Sequence, residues 1–405
     1  MLRRSLTYGR STLSSFVVLA LHMASFGSIG AVQHKANSTG DGAEYTREAV
    51  LKYLQRAIRL PRKSENTIAK TGSNIGPVFE PTLVSKKYDA AKNILWEQWT
   101  LRSEPSKQGL IPLLVARPPD DKHSSNQKAY PCVIVSHGTG SNKNQMEPYL
   151  ASLVAHGFIG LAFDSRYHGD RAKHPINDYY AALVRSYVQK GLVERPFIYD
   201  TIHDVQHILT FLGNRKDILD VGMTGISLGG MHTWFASAVD GRIAAAVPFI
   251  GVQNFRYAME NNLYHSRVES LMPVFEHGRK QLGKSTINPI VVENVWNTIN
   301  PGLIDILDAE NTLRLIAPRP LFIMNGEADL RTPKIGVDQA FETCKKEYGK
   351  HYGRDKMNEF LKYYVNPKGE HTVDRVMWQK AISFFKIHLI QDRRQMVSKG
   401  FSSDL

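Results

Sequence analysis

Cysteine is nearly missing from this 405-residue chain, which holds only Cys132 and Cys344. Two thiols cannot build a disulfide scaffold, and no Cys-x-x-Cys pair exists for zinc or dithiol work. No unbroken apolar run reaches the roughly 18 residues that a membrane span needs. The nearest, Phe16 to Val32, is interrupted by His22 and by several serines and glycines. Internal repeats and low-complexity tracts are also missing. Gly 30 and Pro 19 are ordinary numbers, so neither a collagen-like nor a linker-dominated chain is possible. What is present is 42% hydrophobic, 22% charged and 10% aromatic sequence. That composition buries a substantial core and excludes a disordered chain. The length suits one large α/β domain with insertions.

The net charge is +13, from 51 basic and 38 acidic residues. Arg3, Arg4, Arg10 and Lys35 lie in residues 1–40, which hold no acid. The remaining basic residues fall in short clusters such as Lys86-Lys87 and Lys345-Lys346, with acids between them. That pattern describes a solvated basic surface, and no nucleic-acid partner is expected.

Residues 1–40 have the layout of a targeting segment. Arg3 and Arg4 open it, Phe16 to Leu21 form its apolar middle, and Ser28 to Ala31 its small-residue exit. The expected destination is the secretory pathway or the exterior. A mitochondrial or plastid transit peptide is the alternative, since the segment is Ser-rich and acid-free. Asn37-Ser38-Thr39 is a glycosylation sequon just beyond the exit.

Glu44 to Leu60 reads as a helix ended by Pro61, with Ala49, Tyr53 and Ile58 among charges. Lys63 to Tyr88 is polar, carries Gly72, Gly76, Pro77 and Pro81, and reads as a loop. Ile94–Leu101 and Leu110–Ala116 then suggest a hairpin. Beyond them short apolar strands alternate with helices. The strands are Pro131–Ser136, Phe158–Phe163, Asp220–Thr224, Ile243–Ile250, Pro320–Asn325 and Glu359–Val365. The helices are Pro148–His156, Tyr199–Leu212, Leu228–Val239, Val337–Tyr348 and Asp374–Leu389. This alternation specifies a mostly parallel sheet with helices on both faces. Functional groups belong on the loops after its strand carboxyl ends. Two insertions break the alternation. Lys173 to Pro196 is one. The other, Gly251 to Ile316, is helical, with Phe255, Met259, Tyr264, Val268, Leu271 and Val274 on one helix face.

Gly225-Ile-Ser227-Leu-Gly229-Gly230 follows a buried strand and opens a helix. A turn that tight leaves no room for flanking side chains, and the helix start offers free N–H groups to an oxyanion. His137-Gly138-Thr139-Gly140 follows the Cys132–Ser136 strand, so the backbone amides of Thr139 and Leu228 are the candidate oxyanion donors. Asp329, in Gly326-Glu-Ala-Asp329-Leu-Arg-Thr-Pro333, follows the Pro320–Asn325 strand; Glu327 is the fallback acid. His371, alone among 15 histidines, lies on the loop after the last strand. The order Ser227, Asp329, His371 suits a nucleophile, an orienting acid and a general base. The loop Phe163-Asp-Ser-Arg-Tyr-His-Gly-Asp170-Arg171 places His168, Asp170 and His174 close in sequence. Their spacing matches no zinc signature, so no metal is expected. A brace from Asp164 to Arg166 or Arg171 is expected instead. Met231, His232 and Trp234 read as helix packing, and Cys132 as an inert buried thiol.

Together these motifs resemble the α/β-hydrolase-fold serine hydrolases. The resemblance is to the dienelactone hydrolase, acetyl xylan esterase and prolyl oligopeptidase side of that superfamily. It is nearer still to a group of plant-type α/β-hydrolases, through Arg195-Pro-Phe-Ile-Tyr-Asp200, Gly225 to His232 and Ile316-Ala-Pro-Arg-Pro-Leu321. It spans about residues 90–390 and implies hydrolysis of a small-molecule ester through an acyl-enzyme, without a cofactor. A peptidase or acyltransferase of the same fold, or a catalytically weak ligand-binding protein, stays open. The expected organisation is a targeting segment at 1–40 and a helical and loop extension at 41–89. The hydrolase domain follows at 90–390, with its cap at about 251–316, and then a tail at 391–405.

Overall fold

Nine strands hydrogen-bond in the order β1-β2-β3-β5-β4-β6-β7-β8-β9 in a computed structural model that describes residues 45–59, 81–119 and 128–391. They are β1 (Thr82–Asp89), β2 (Ile94–Arg102), β3 (Leu110–Arg117), β4 (Tyr130–Ser136), β5 (Ile159–Phe163), β6 (Ile218–Ile226), β7 (Ile243–Phe249), β8 (Leu321–Gly326) and β9 (Leu361–Asn366). The expected hairpin is present as β2 and β3, antiparallel with Thr100 opposite Pro112. β3 joins β5 antiparallel, and from β5 to β9 every pairing is parallel. Among the described residues, the chain from Val50 onward forms one compact unit.

One expectation changes at the edge of the sheet. β1 occupies part of the stretch read as a loop, while residues 60–80 lie outside the described residues. Its residues are exposed on both sides, so no apolar alternation marks it. The helix expected over Glu44 to Leu60 is present as α1 (Arg47–Arg59), which buries Val50, Leu54, Ala57 and Ile58. The leader and tail, residues 1–44 and 392–405, also lie outside the described residues.

The parallel strands β4, β5, β7 and β8 are buried along nearly their whole length, because helices cover both faces, whereas β9 at the edge is half-buried. Val133, Val135, Ala245, Val247 and Met324 pack on one face. Leu150 and Leu153 of α2 (Glu147–Ala155) and Met377, Ala381 and Phe385 of α12 (Arg375–Phe385) cover them. The alternate residues Ile134, Met223, Ala246 and Ile323 are equally buried and take the opposite face. There α4 (Tyr199–Gly213) and α5 (Leu228–Val239) pack. Each fully buried side chain of this size contributes about 1.5–3 kcal/mol relative to exposure.

The insertion after β5 carries α3 (Pro175–Val188). The cap holds five helices in place of one long amphipathic one. They are α6 (Phe255–Glu260), α7 (His265–Glu269), α8 (Met272–Gln281), α9 (Pro289–Ile299) and α10 (Ala309–Thr312). The six apolar residues assigned to one helix face are all buried but spread over α6, α7, α8 and their links. The break has a local cause: Asn261 and Asn262 end α6, Asn262 at φ +57°. Trp296 is the hub of this layer, with the rings of Phe197, Phe255 and Phe275 centred 5.0–5.3 Å from it. α11 (Lys334–Phe360) is two helical pieces joined at Gly353.

Candidate active site

β6 ends at Ile226, Ser227 makes the turn, and α5 begins at Leu228. Ser227 sits at φ 57°, ψ −110°, a conformation costly for a side chain with a Cβ. Its surroundings impose it. The Ser227 N–H donates to Phe249 O at 3.0 Å, and Met231 N–H donates to Ser227 O at 3.0 Å. A Cβ on Gly225 would lie 2.3 Å from Gly229 O, and one on Gly229 would lie 2.1 Å from Ser136 O. The strand-to-helix turn therefore closes only with glycine at both positions.

The loops after β8 and β9 are knitted together. Glu327 N–H donates to Asn366 O (3.0 Å), and Ala328 N–H to Gly369 O (2.8 Å). This pairing carries Asp329 to His371, with Nδ1 and Oδ2 2.7 Å apart. On its far side His371 Nε2 lies 2.7 Å from Ser227 Oγ. A carboxylate only accepts, so the Nδ1 proton points at Asp329 and Nε2 accepts from the Ser227 hydroxyl. Asp329 Oδ1 also accepts from the N–H groups of Arg331 (2.8 Å) and Thr332 (3.2 Å), and the Thr332 hydroxyl lies 2.6 Å from Oδ2.

Asp329 is 2% exposed. Burial raises its carboxyl, yet the bonds from His371, Thr332 and Arg331 outweigh that and hold it below the usual carboxylate range. Burial lowers the His371 imidazole; Asp329 opposes this, and the charges of Arg267 and Arg331 add to it. Glu327 points elsewhere: its carboxylate accepts the Lys368 N–H at 3.0 Å, and it is exposed.

The His137–Gly140 loop runs beside the turn. A Cβ on Gly138 would be 3.7 Å from the Ser227 Cβ. His137 is buried and accepts the Ser165 N–H at Nε2 (3.1 Å), so its proton is on Nδ1, which donates to Gly138 O (2.8 Å). Burial pushes it down to about 4, and His232 likewise. His232 Nε2 donates to Phe197 O at 3.1 Å, and Trp234 Nε1 to Thr312 Oγ1 at 2.9 Å. Met231, His232 and Trp234 are thus buried packing residues. Both cysteines are buried and free, with burial pushing the Cys132 thiol up to about 12.

The loop after β5 is braced differently from the expectation. Arg166 and Arg171 both reach Asp204 of α4, at 2.7 and 2.8 Å. Asp164 instead pairs with Lys143 Nζ at 2.9 Å, and Arg171 touches only its backbone oxygen. The nearest carboxylate in sequence lost to one on a covering helix. His168 is buried, whereas Asp170 and His174 are on the surface. Among the described residues no group of three or more His, Cys, Asp or Glu could hold a metal. None of the helices among those residues is long and apolar enough to cross a membrane.

One residue whose charge acts on this site escaped sequence reasoning. Arg267 of the cap is 3% exposed, and its charge acts on both Asp329 and His371. It belongs to no motif, and only the folding of the cap brings it here.

Sheet order, elbow turn and loop placement define an α/β-hydrolase-fold protein. No protein-family model matches the chain. It is similar to the Bacillus subtilis (strain 168) protein named "Putative esterase YitV", with 22% identity over 274 residues, 66% of this chain and 93% of that one. Acetyl xylan esterase 1 from Thermoanaerobacterium sp. JW/SL YS485 superimposes with a TM-score of 0.55 at 16% identity, covering 83% of this chain and 92% of the other. A glucuronoyl esterase from Solibacter usitatus gives 0.54 at 14% identity, covering 84% and 92%.

Proposed function

We propose that this protein is a serine carboxylesterase that cleaves a small-molecule ester through an acyl-enzyme. The observation that carries the reading is the hydrogen-bonded series Ser227–His371–Asp329, with the serine at an elbow of φ 57°. Serine is a poor nucleophile at its own pKa. His371 Nε2 takes its proton as Oγ bonds to the ester carbonyl carbon, and Asp329 holds the ring and balances the imidazolium. The N–H groups of Thr139 and Leu228 receive the oxyanion; Leu228, at the first turn of α5, has no intrahelical acceptor. Collapse breaks the ester C–O bond, and the His371 proton leaves with the alcohol. Water, deprotonated by His371, then frees the acid and restores Ser227. Names of the relatives support esters over amides, each name being a property of that relative alone.

The test is fluorophosphonate labelling of residues 41–405 and turnover of 4-nitrophenyl esters of increasing chain length, wild type beside Ser227→Ala. Labelling and turnover that both vanish in the variant support the reading. Equal labelling of both proteins assigns the nucleophile elsewhere, and a folded wild type without either returns the binding-protein alternative. For the leader, secretion is the proposal; a reporter fused after residue 40 that stays in the cytosol or enters an organelle refutes it.

A further inference from the structure

Burying a guanidinium without a carboxylate partner is costly, so an unpaired one marks a place that something else fills. Arg267 is such a residue. Its one side-chain hydrogen bond among the described residues runs from Nε to Gln253 Oε1 at 3.0 Å. Its Nη2 is buried with no partner. Asp329, the carboxylate whose charge it feels, is already engaged by His371 and Thr332.

The position of Arg267 is fixed from two sides. Gln253 lies on the link that leaves β7, where Gly251 packs its Cα against the backbone of Gly230 in the nucleophile helix. From the other side, Tyr180 of α3 donates to Ser270 O at 3.1 Å, and Ser270 Oγ donates to Arg267 O at 2.6 Å. This pins the first insertion to the cap. The neighbour of Tyr180, Tyr179, is fully buried, feels the Arg267 charge, and has a hydroxyl with no partner among the described residues. The Tyr179 ring is centred 4.5 Å from that of His168, which is 5.1 Å from His137 beside the elbow. Two donors without a partner among the described residues thus lie beside the candidate site, Arg267 through Gln253 on the link from β7 and Tyr179 through the rings of His168 and His137.

We propose that Arg267, with the Tyr179 hydroxyl, receives a carboxylate of the substrate, so that the enzyme selects esters carrying a negative charge near the scissile carbonyl. A planar guanidinium matches a carboxylate, and one positive charge balances one negative. The cost of burying Arg267 is then recovered on binding, and neutral esters forgo it. The inference rests on the esterase reading above.

The experiment compares kcat/KM for matched ester pairs. 4-Acetoxybenzoate against its methyl ester places the charge on the alcohol side. Monophenyl succinate against phenyl butanoate places it on the acyl side. Wild type prefers the charged member of one pair by about tenfold or more, the size of one charge-assisted contact, and that pair names the side. Arg267→Gln loses most of this ratio, Arg267→Lys restores part of it, and Tyr179→Phe lowers it less. Fluorophosphonate labelling of Ser227 in each variant reports an intact site. As a measurement that needs no variant, benzoate inhibits wild-type hydrolysis of a neutral ester more strongly than benzamide does. Turnover of neutral esters with no charged preference, or a ratio unchanged in Arg267→Gln, overturns the proposal and leaves the esterase reading standing. Equal benzoate and benzamide inhibition does the same. A wild type that hydrolyses neither member of either pair, and is not labelled at Ser227, overturns both.

Discussion

His371 Nε2 and Ser227 Oγ meet at 2.7 Å although 144 residues of chain separate them. Neither residue is placed by its own neighbours alone. Ser227 is fixed by β6 and α5, and His371 by the bonds between the loops after β8 and β9. Asp329 orients the imidazole by accepting at Nδ1. In Asp329→Asn the amide can donate to Nδ1 instead, which leaves the proton on the nitrogen facing Ser227. Turnover is expected to fall about 10²–10⁴-fold with little change in KM. Steady-state kinetics with a saturable ester decides it; a loss confined to KM would remove Asp329 from this role.

In the proposed mechanism the base must be neutral to accept the serine proton, so activity is expected to rise with pH through the His371 titration. Burial lowers that titration and the Arg331 charge lowers it further, against Asp329. The acid limb of kcat/KM is therefore expected below the ordinary imidazole value of about 6.5. Arg331→Met removes a cation while its backbone N–H still serves Asp329, so its limb shifts upward. The pH profiles of the two proteins check both directions.

Gly229 has no space for a methyl group: the added Cβ would lie 2.1 Å from Ser136 O and 2.8 Å from His137 O, both backbone atoms. Gly229→Ala must push the β4 end away from the elbow. Overpacking of this kind costs about 1–3 kcal/mol or more. The expected result is a lowered melting temperature together with lost fluorophosphonate labelling. By contrast Gly241→Ala, where nothing lies within 4 Å of the new Cβ, keeps both.

The legibility of the sequence followed where side chains are buried. Strands covered on both faces read as apolar runs, so β4 to β8 were visible, and with them the loops that hold Ser227 and Asp329; β9, half-buried at the edge, was legible from its Leu361, Tyr363, Tyr364 and Val365. β1 was not, because its residues face solvent on both sides and hydrogen bonding to β2 alone makes it a strand. In the cap the apolar spacing was read correctly, but chain breaks at Asn261–Asn262 redistributed it over several helices. The ion pairs of the β5 loop and the burial of Arg267 were unreadable for a common reason. Each depends on a partner or a cover supplied by a distant segment.

Asp204 makes the fold sensitive to acid below about pH 4. Fully buried, it accepts from Ser103 Oγ at 2.5 Å, from Arg166 Nη2 and Nε at 2.7 Å each, and from Arg171 Nη2 at 2.8 Å. Burial alone would raise its carboxyl, but Arg166 and Arg171 more than reverse this and hold it well below the usual range. A depressed folded pKa gives stability that is complete above the unfolded value of about 3.9 and is lost as pH falls from there toward the folded value. Asp204→Asn keeps the shape and removes the charge, leaving two buried guanidinium groups without it. The expected cost is about 3–5 kcal/mol at neutral pH. The telling comparison is the pH dependence of denaturant unfolding. Wild type should lose stability steeply below about pH 4, and the variant should lose less over the same range. Parallel curves would mean that other carboxylates or the buried histidines govern acid unfolding.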